Sequence, residues 1–226
     1  MVRSLQRCKV LLINLIKQES MNSKEITNYK KSLRLTKLQK SILFGKLLGD
    51  GHLESLNNGK TFRLKIEHSM QQKDYVDWMY QIFKPWVRSG CFEKIRKNGQ
   101  QSFGFQTYSH GELRFLGQQF YQNGKKVIPK VFSKQLDKIS LAVWYMDDGS
   151  KKSSKHKTYI IHSLGYSKVD LEKVCEVLFE KFKIKARLHK QKNKYYRIYI
   201  LSESAEEFKK IIEPYVSKFK SMEHKL

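Results

Sequence analysis

Two short segments carry the residue types that metal-assisted hydrolysis needs. Leu43-Phe44-Gly45-Lys46-Leu47-Leu48-Gly49-Asp50-Gly51 and Leu141-Ala142-Val143-Trp144-Tyr145-Met146-Asp147-Asp148-Gly149 are both apolar helical runs that end in Asp-Gly. The C-terminal end of a helix already bears partial negative charge and prefers Lys or Arg, so an aspartate there is electrostatically awkward. Packed side by side, two such helices bring Asp50 and Asp148 together, and one carboxylate must take up a proton unless a cation separates them. A hard divalent ion answers that need. Mg²⁺ suits few carboxylates, several waters and a bridging phosphate. Gly45 and Gly49, four apart, allow the two backbones a close approach. A single Asp-Gly is ordinarily a helix stop; two at equal places in a repeat ask for more.

The repeat organises the chain. Asp50 and Asp148 stand 98 positions apart, and matching elements follow each. From Thr61 to Glu67 the odd positions are polar and Phe62, Leu64 and Ile66 apolar, the period of a strand with one wet face. Ile66-Glu67-His68-Ser69 pairs with Ile160-Ile161-His162-Ser163. Helical stripes come next, Val76, Met79, Ile82 and Phe83 in the first half and Leu171, Val174, Leu178 and Phe182 in the second. Two further strands close each half, around Phe92 to Lys97 and Ser102 to Tyr108, then Ile184 to Gln191 and Tyr195 to Leu201, and a last helix ends each. The expected class is α+β, two αββαββα units each with a four-stranded antiparallel sheet, joined at the two Asp-Gly helices. Residues 1–34 read as a flexible basic extension, 35–122 as the first half, 123–140 as a linker and 141–226 as the second half. The extension opens like a signal peptide, but Lys17-Gln18-Glu19 follow its apolar run with no small-residue cleavage site.

Charge says what the sheets face. There are 45 Lys and Arg against 21 Asp and Glu, a net +24 over 226 residues. Self-repulsion of that size is tolerated when a polyanion is the partner, and nucleic acid leads. Lys185, Arg187, His189 and Gln191 fall on one side of their strand, and Tyr195 and Arg197 on one side of the next. With Arg63, Lys65, Gln106 and Tyr108 in the first half they make two polar faces of the kind that reaches phosphates and major-groove base edges. Most Phe residues lie on the apolar sides, which disfavours a stacking platform for single strands. Cys8, Cys91 and Cys175 are odd in number and at no metal-knuckle spacing, as expected of reduced thiols inside a cell. No apolar run approaches the roughly 18 residues that span a bilayer.

The two motifs resemble those of the LAGLIDADG homing endonucleases, in the single-chain, intron-encoded type that carries both copies. The resemblance runs from about Leu35 to Leu226. It implies an endonuclease acting on double-stranded DNA as a monomer, on a long and largely asymmetric site, cutting both strands across the minor groove to leave short 3′ overhangs. Asp50 and Asp148 match the metal-binding catalytic aspartates, and the backbone carbonyls of Gly49 and Asp147 are expected to complete the coordination. Mg²⁺ is the expected ion, with Mn²⁺ substituting and Ca²⁺ binding without cleavage. Val143 stands where the first motif has the small Gly45, and bulky Trp144 and Tyr145 follow, so the helices are not expected to pack as equals. Lys126, before Val127-Ile128-Pro129, lies 76 residues past Asp50 and matches the family's lysine; Lys225 lies 77 past Asp148 and is its counterpart. Glu67 is a candidate for ordering water around the ions, with His162 nearly in its place in the second half. An intron-RNA maturase or a DNA-binding regulator on the same fold is the alternative, marked by degenerate aspartates, and here both aspartates are intact. A DNA-associated location is implied, in an organelle matrix or a bacterial cytoplasm.

Overall fold

In the computed structural model, residues 23–153, 156–192 and 195–226 are described. The elements in chain order are α1 (Ser23–Ser32), α2 (Lys37–Leu48), β1 (His52–Glu54), β2 (Arg63–Ser69), α3 (Lys73–Phe83), β3 (Phe92–Ile95), β4 (Gln101–Gln106), α4 (Arg114–Phe120), a small hairpin β5 (Tyr121–Gln122) and β6 (Lys125–Lys126), α5 (Phe132–Gln135), α6 (Lys138–Asp148), β7 (Gly149–Ser153), β8 (His156–Ile161), α7 (Lys168–Phe182), β9 (Ala186–Gln191), β10 (Tyr195–Ile200) and α8 (Ala205–Val216). A 3₁₀ segment, Lys220–Lys225, follows. Two antiparallel sheets result, ordered β1-β2-β4-β3 and β7-β8-β10-β9, the same order twice. The expected doubled αββαββα architecture is what the chain adopts.

Both central helices begin on a capping box, Thr36 with Gln39 and Asp137 with Ser140, which satisfies the first orphan N–H groups. Ser41 of α2 also donates to the Asp137 carboxylate, tying the two starts together. The helices then run in contact and are buried almost all round, from Ile42 to Leu48 and from Leu141 to Met146. Their inequality is used in the packing. A Cβ on Gly45 would lie 2.4 Å from the Ser140 carbonyl oxygen and 2.8 Å from Val143 Cβ. The bulkier Val143 thus fills the notch that the glycine leaves.

In β2, Leu64, Ile66 and His68 turn into the core and Arg63, Lys65 and Glu67 turn outward, as the alternation predicts. The match between halves shifts by one residue from the expected one. His52 pairs with Lys65 and Ser150 with Ile160, so Glu67 answers to His162 and His68 to Ser163. The first hairpin is longer than the second, which carries a bulge between Lys151 and Ser153, so equal sequence spacing does not give equal register.

The expected flexible extension is replaced, in its described part, by α1 docked on the first half; residues 1–22 of that expectation lie outside the described residues. Tyr29 donates to the Pro85 carbonyl, His110 Nε2 lies 2.7 Å from the Lys30 carbonyl oxygen, and Leu33 and Leu35 are buried. This docking corrects one binding-face assignment. Strand β4 ends at Gln106, and Tyr108 is buried with its ring edge-on to Tyr29, so Tyr108 is a core residue and not part of a binding face.

The end of the chain crosses back to the first half. Ser221 donates to Asp74, and Phe219 packs on the rings of Tyr75 and Trp78. No helix among the described residues is long and apolar enough to cross a membrane. Helix contact at Gly45 yields a direct expectation. Gly45→Ala should lower stability by about 1–3 kcal/mol, the cost of overpacking a tight core, read as a melting point several degrees lower despite alanine's better helix propensity. An unchanged melting point would mean that the helices do not meet there.

Candidate active site at the ends of the central helices

Three carboxylates gather where α2 and α6 end. Asp148 is the last residue of α6, Asp147 precedes it, and Asp50 lies two residues past the end of α2. Their environments differ sharply. The Asp147 side chain is wholly buried, 2.7 Å from the equally buried Lys46 Nζ, and it accepts from the Tyr75 hydroxyl at 3.2 Å and from the Asp50 amide at 3.0 Å. A Cβ on Gly49 would sit 2.5 Å from Asp147 Cβ, so the glycine is what admits this side chain between the helices.

Lys46 also donates to His68 Nε2 at 2.6 Å, which leaves the ring proton on Nδ1, 3.0 Å from Gln72 Oε1. Burial and the Lys46 charge push the His68 pKa down to about 3, so the ring is neutral. Its Nδ1 is 4.0 Å from the Asp50 carboxylate.

Asp50 is the open carboxylate, 54% exposed, in a cleft with Glu67, His68 and Arg96. Asp148 lines a separate cleft with Gly49, Lys126, His162 and Tyr166. It accepts from Trp144 Nε1 at 3.2 Å. Burial, then the neighbouring Asp147 and Asp50, push its pKa up to about 7.

The two lysines selected by spacing arrive at matching places. Lys126 donates to the Gly49 and Gly51 carbonyls at 2.7 and 2.9 Å, and Lys225 to those of Met146 and Asp147 at 2.5 and 3.2 Å. Each ammonium thus caps the negative end of one central helix. Burial lowers both lysine pKa values, against the pull of the nearby aspartates.

A hard cation fits this set of donors. Asp50, Asp148 and the carbonyl oxygens of Gly49 and Asp147 are all oxygen ligands, and those carbonyls already attract the lysine ammonium groups. Asp50, His68 and Asp147 also fall within 4.8 Å of one another. Asp147 is neutralised there by Lys46 and both His68 nitrogens are bonded, so within that trio Asp50 alone has a carboxylate open to a ligand.

Glu67 accepts from Ser102 at 2.8 Å and pairs with Lys94, Arg96 and Lys65. Its pKa is lowered: burial raises it, and the Ser102 hydrogen bond and the lysines outweigh burial. Arg63 and Lys65 pair with Glu54, and Gln106 lies opposite Lys65. On the second sheet the outward residues are cross-strand neighbours, Gln191 with Tyr195 and His189 with Arg197, while Arg187 sits over the Tyr199 ring. Lys185 pairs with Glu203 at the sheet's margin. Among the described residues, Gln191 Oε1 and Arg197 Nε are buried without a hydrogen-bond partner.

Sequence reasoning passed over Lys46, His68, Tyr75, Trp144 and Tyr166. Two signals were present. Lys46 is a lone charge inside an apolar helix, and His68 falls on the apolar side of its strand. Tyr166, whose hydroxyl donates to the Leu48 carbonyl at 2.8 Å, comes from a loop with no such mark.

Residues 40–208 match the LAGLIDADG DNA endonuclease family. The chain is 34% identical to a probable intron-encoded endonuclease of Wickerhamomyces canadensis, over 86% of this chain and 87% of that one. It is 28% identical to the cytochrome b mRNA maturase bI2 of Saccharomyces cerevisiae, over 91% of this chain and half of that protein. Among solved structures it resembles the homing endonuclease I-WcaI bound to its DNA recognition sequence, with a TM-score of 0.80 at 31% identity, covering 91% of this chain and 93% of that one. Two Asp-Gly helices between two like sheets define a single-chain, two-motif protein. The chain belongs to the LAGLIDADG DNA endonuclease family.

The raised Asp148 pKa predicts how the metal-free protein responds to pH. A carboxyl whose folded pKa lies above its unfolded value stabilises the fold at low pH, and that contribution is lost as pH rises to about 7. In chelator, wild type should therefore lose on the order of 2 kcal/mol relative to Asp148→Asn between pH 5 and 7.5. Denaturant titrations of both proteins measure it; parallel profiles would place Asp148 in water.

Proposed function

We propose that the chain is a site-specific homing endonuclease. On this reading it hydrolyses both strands of a long, largely asymmetric DNA site across the minor groove, leaves short 3′ overhangs, and so spreads the intron that encodes it. One observation carries the reading: two aspartates at the ends of paired helices, each helix end also capped by a lysine ammonium, Lys126 half-buried and Lys225 buried. A protein that only binds DNA has no use for carboxylates beside the phosphates it must attract.

Asp50 and Asp148, with the Gly49 and Asp147 carbonyls, are the residues that would hold Mg²⁺. Mn²⁺ is expected to replace it and Ca²⁺ to bind without supporting cleavage. The chemistry such an ion supplies when bound is Lewis-acid activation of the phosphate and the attacking water. Lys126 and Lys225 offset the charge that grows on the phosphoryl and leaving oxygens. Glu67 in one cleft and His162 in the other order water around the site, and His162, 2.8 Å from the Ser150 hydroxyl, does so as a neutral ring whose pKa is lowered by burial.

Binding falls to the sheet faces. Arg63, Lys65, Gln106, Lys185, Arg187, His189, Gln191, Tyr195 and Arg197 are assigned to the duplex. Both motifs lie in one polypeptide, so a monomer suffices to cut two strands. The likeness to a yeast mRNA maturase supports a second role for the same basic surface, binding the intron's own RNA.

The test uses a plasmid carrying the host gene's insertion site without the intron. With Mg²⁺ the wild-type chain should make one double-strand cut, which Asp50→Asn and Asp148→Asn should each reduce more than 100-fold while binding in Ca²⁺ persists. Cutting by both variants at wild-type rates would overturn the assignment. Affinity should fall steeply with salt, and Arg187→Ala should reduce the slope of log affinity against log salt by about one; an unchanged slope would take Arg187 off the duplex.

A further inference from the structure

Lys46 and Trp144 occupy equivalent places, each four residues before its aspartate and each wholly buried. Residues so spaced share a helix face, yet the two do different things. In α6 the helix persists to Asp148, and Trp144 Nε1 bonds its carboxylate directly at 3.2 Å. In α2 the helix stops at Leu48, so Asp50 is beyond the reach of that geometry. Lys46 turns instead to Asp147 of the other helix at 2.7 Å, and the Asp147 carboxylate in turn accepts the Asp50 amide at 3.0 Å. His68 and Tyr75 close around this link. The aspartates they serve line separate clefts.

We propose that Lys46 and Trp144 are separate positioning residues for the two strand cuts, Lys46 fixing Asp50 through Asp147 and Trp144 fixing Asp148. This rests on the nuclease reading above. Its consequence is that the cuts are set independently, so each can be slowed without the other.

Lys46 is tested in neutral pairs, since removing it alone strands a buried carboxylate. Lys46→Met/Asp147→Leu removes the charges and the acceptor for the Asp50 amide. Lys46→Met/Asp147→Asn removes the charges and keeps an acceptor. The substrate is a duplex of the insertion site with its two strands labelled by different fluorophores, and cleavage of each is followed in Mg²⁺.

Lys46→Met/Asp147→Leu should slow one strand at least tenfold more than the other, the scale expected of a displaced catalytic group. Lys46→Met/Asp147→Asn should cut the strands in nearly the wild-type ratio. Trp144→Phe, which keeps a ring and loses the N–H, should slow the opposite strand. In metal-free protein, deuterium uptake over residues 47–52 should quicken in the Leu pair and stay unchanged in the Asn pair and in Trp144→Phe. Equal slowing of both strands, the same strand slowed by both sites, or like behaviour of the two pairs would overturn the proposal. A wild type that cuts neither strand would instead overturn the nuclease reading, and deuterium uptake would then decide the link from Lys46 to Asp50.

Discussion

Like charges that meet in a confined space must be offset, and the meeting of Asp50, Asp147 and Asp148 at the ends of two packed helices is the constraint on which the rest of the structure turns. Each carboxylate is offset differently. Asp147 is buried with Lys46, Asp148 takes the Trp144 N–H and a raised pKa, and Asp50 keeps more than half its side chain in solvent. Lys126 and Lys225 add positive charge at the carbonyls of each helix end. Take away the close approach at Gly45 and Gly49 and the three acids would separate.

The pseudo-symmetry is a matter of backbone more than of side chains. Two sheets of identical order flank the helices, and two lysines each reach the carbonyl just before their half's aspartate, Gly49 or Asp147, by unlike routes, one on a short hairpin between the halves and the other on a tail that returns across α3. The sheet faces also differ. On the first, Glu54 and Glu67 pair with Arg63, Lys65, Lys94 and Arg96, whereas the outward side of β9 and β10 carries Arg187, His189 and Arg197 with no acid among them. An asymmetric duplex suits such a surface.

Much of this was legible in the chain because the signals are local. Two Asp-Gly runs marked the central helices, period-two alternation in β2 and β10 marked the wet faces, and the family resemblance, with spacings of 76 and 77 residues after the two aspartates, pointed to Lys126 and Lys225. What was hidden depends on contacts between distant segments. Tyr108 alternates like a face residue, but α1, whose own sequence is mostly polar, docks with Tyr29 against its ring. The one-residue shift that sets Glu67 opposite His162 comes from hairpin length and a bulge. Lys46 showed itself as a charge among apolar residues, but its partner, Asp147, lies 101 positions away.

A single measurement bears most directly on the claim that the helix ends form a metal-dependent cutting site: anomalous scattering from Mn²⁺ in crystals of the chain with its target duplex. The account predicts manganese against the Asp50 and Asp148 carboxylates, beside the phosphates to be cut. Manganese held by the Asp147 side chain with Lys46 displaced, or none at the helix ends in crystals whose DNA is cut, would contradict it.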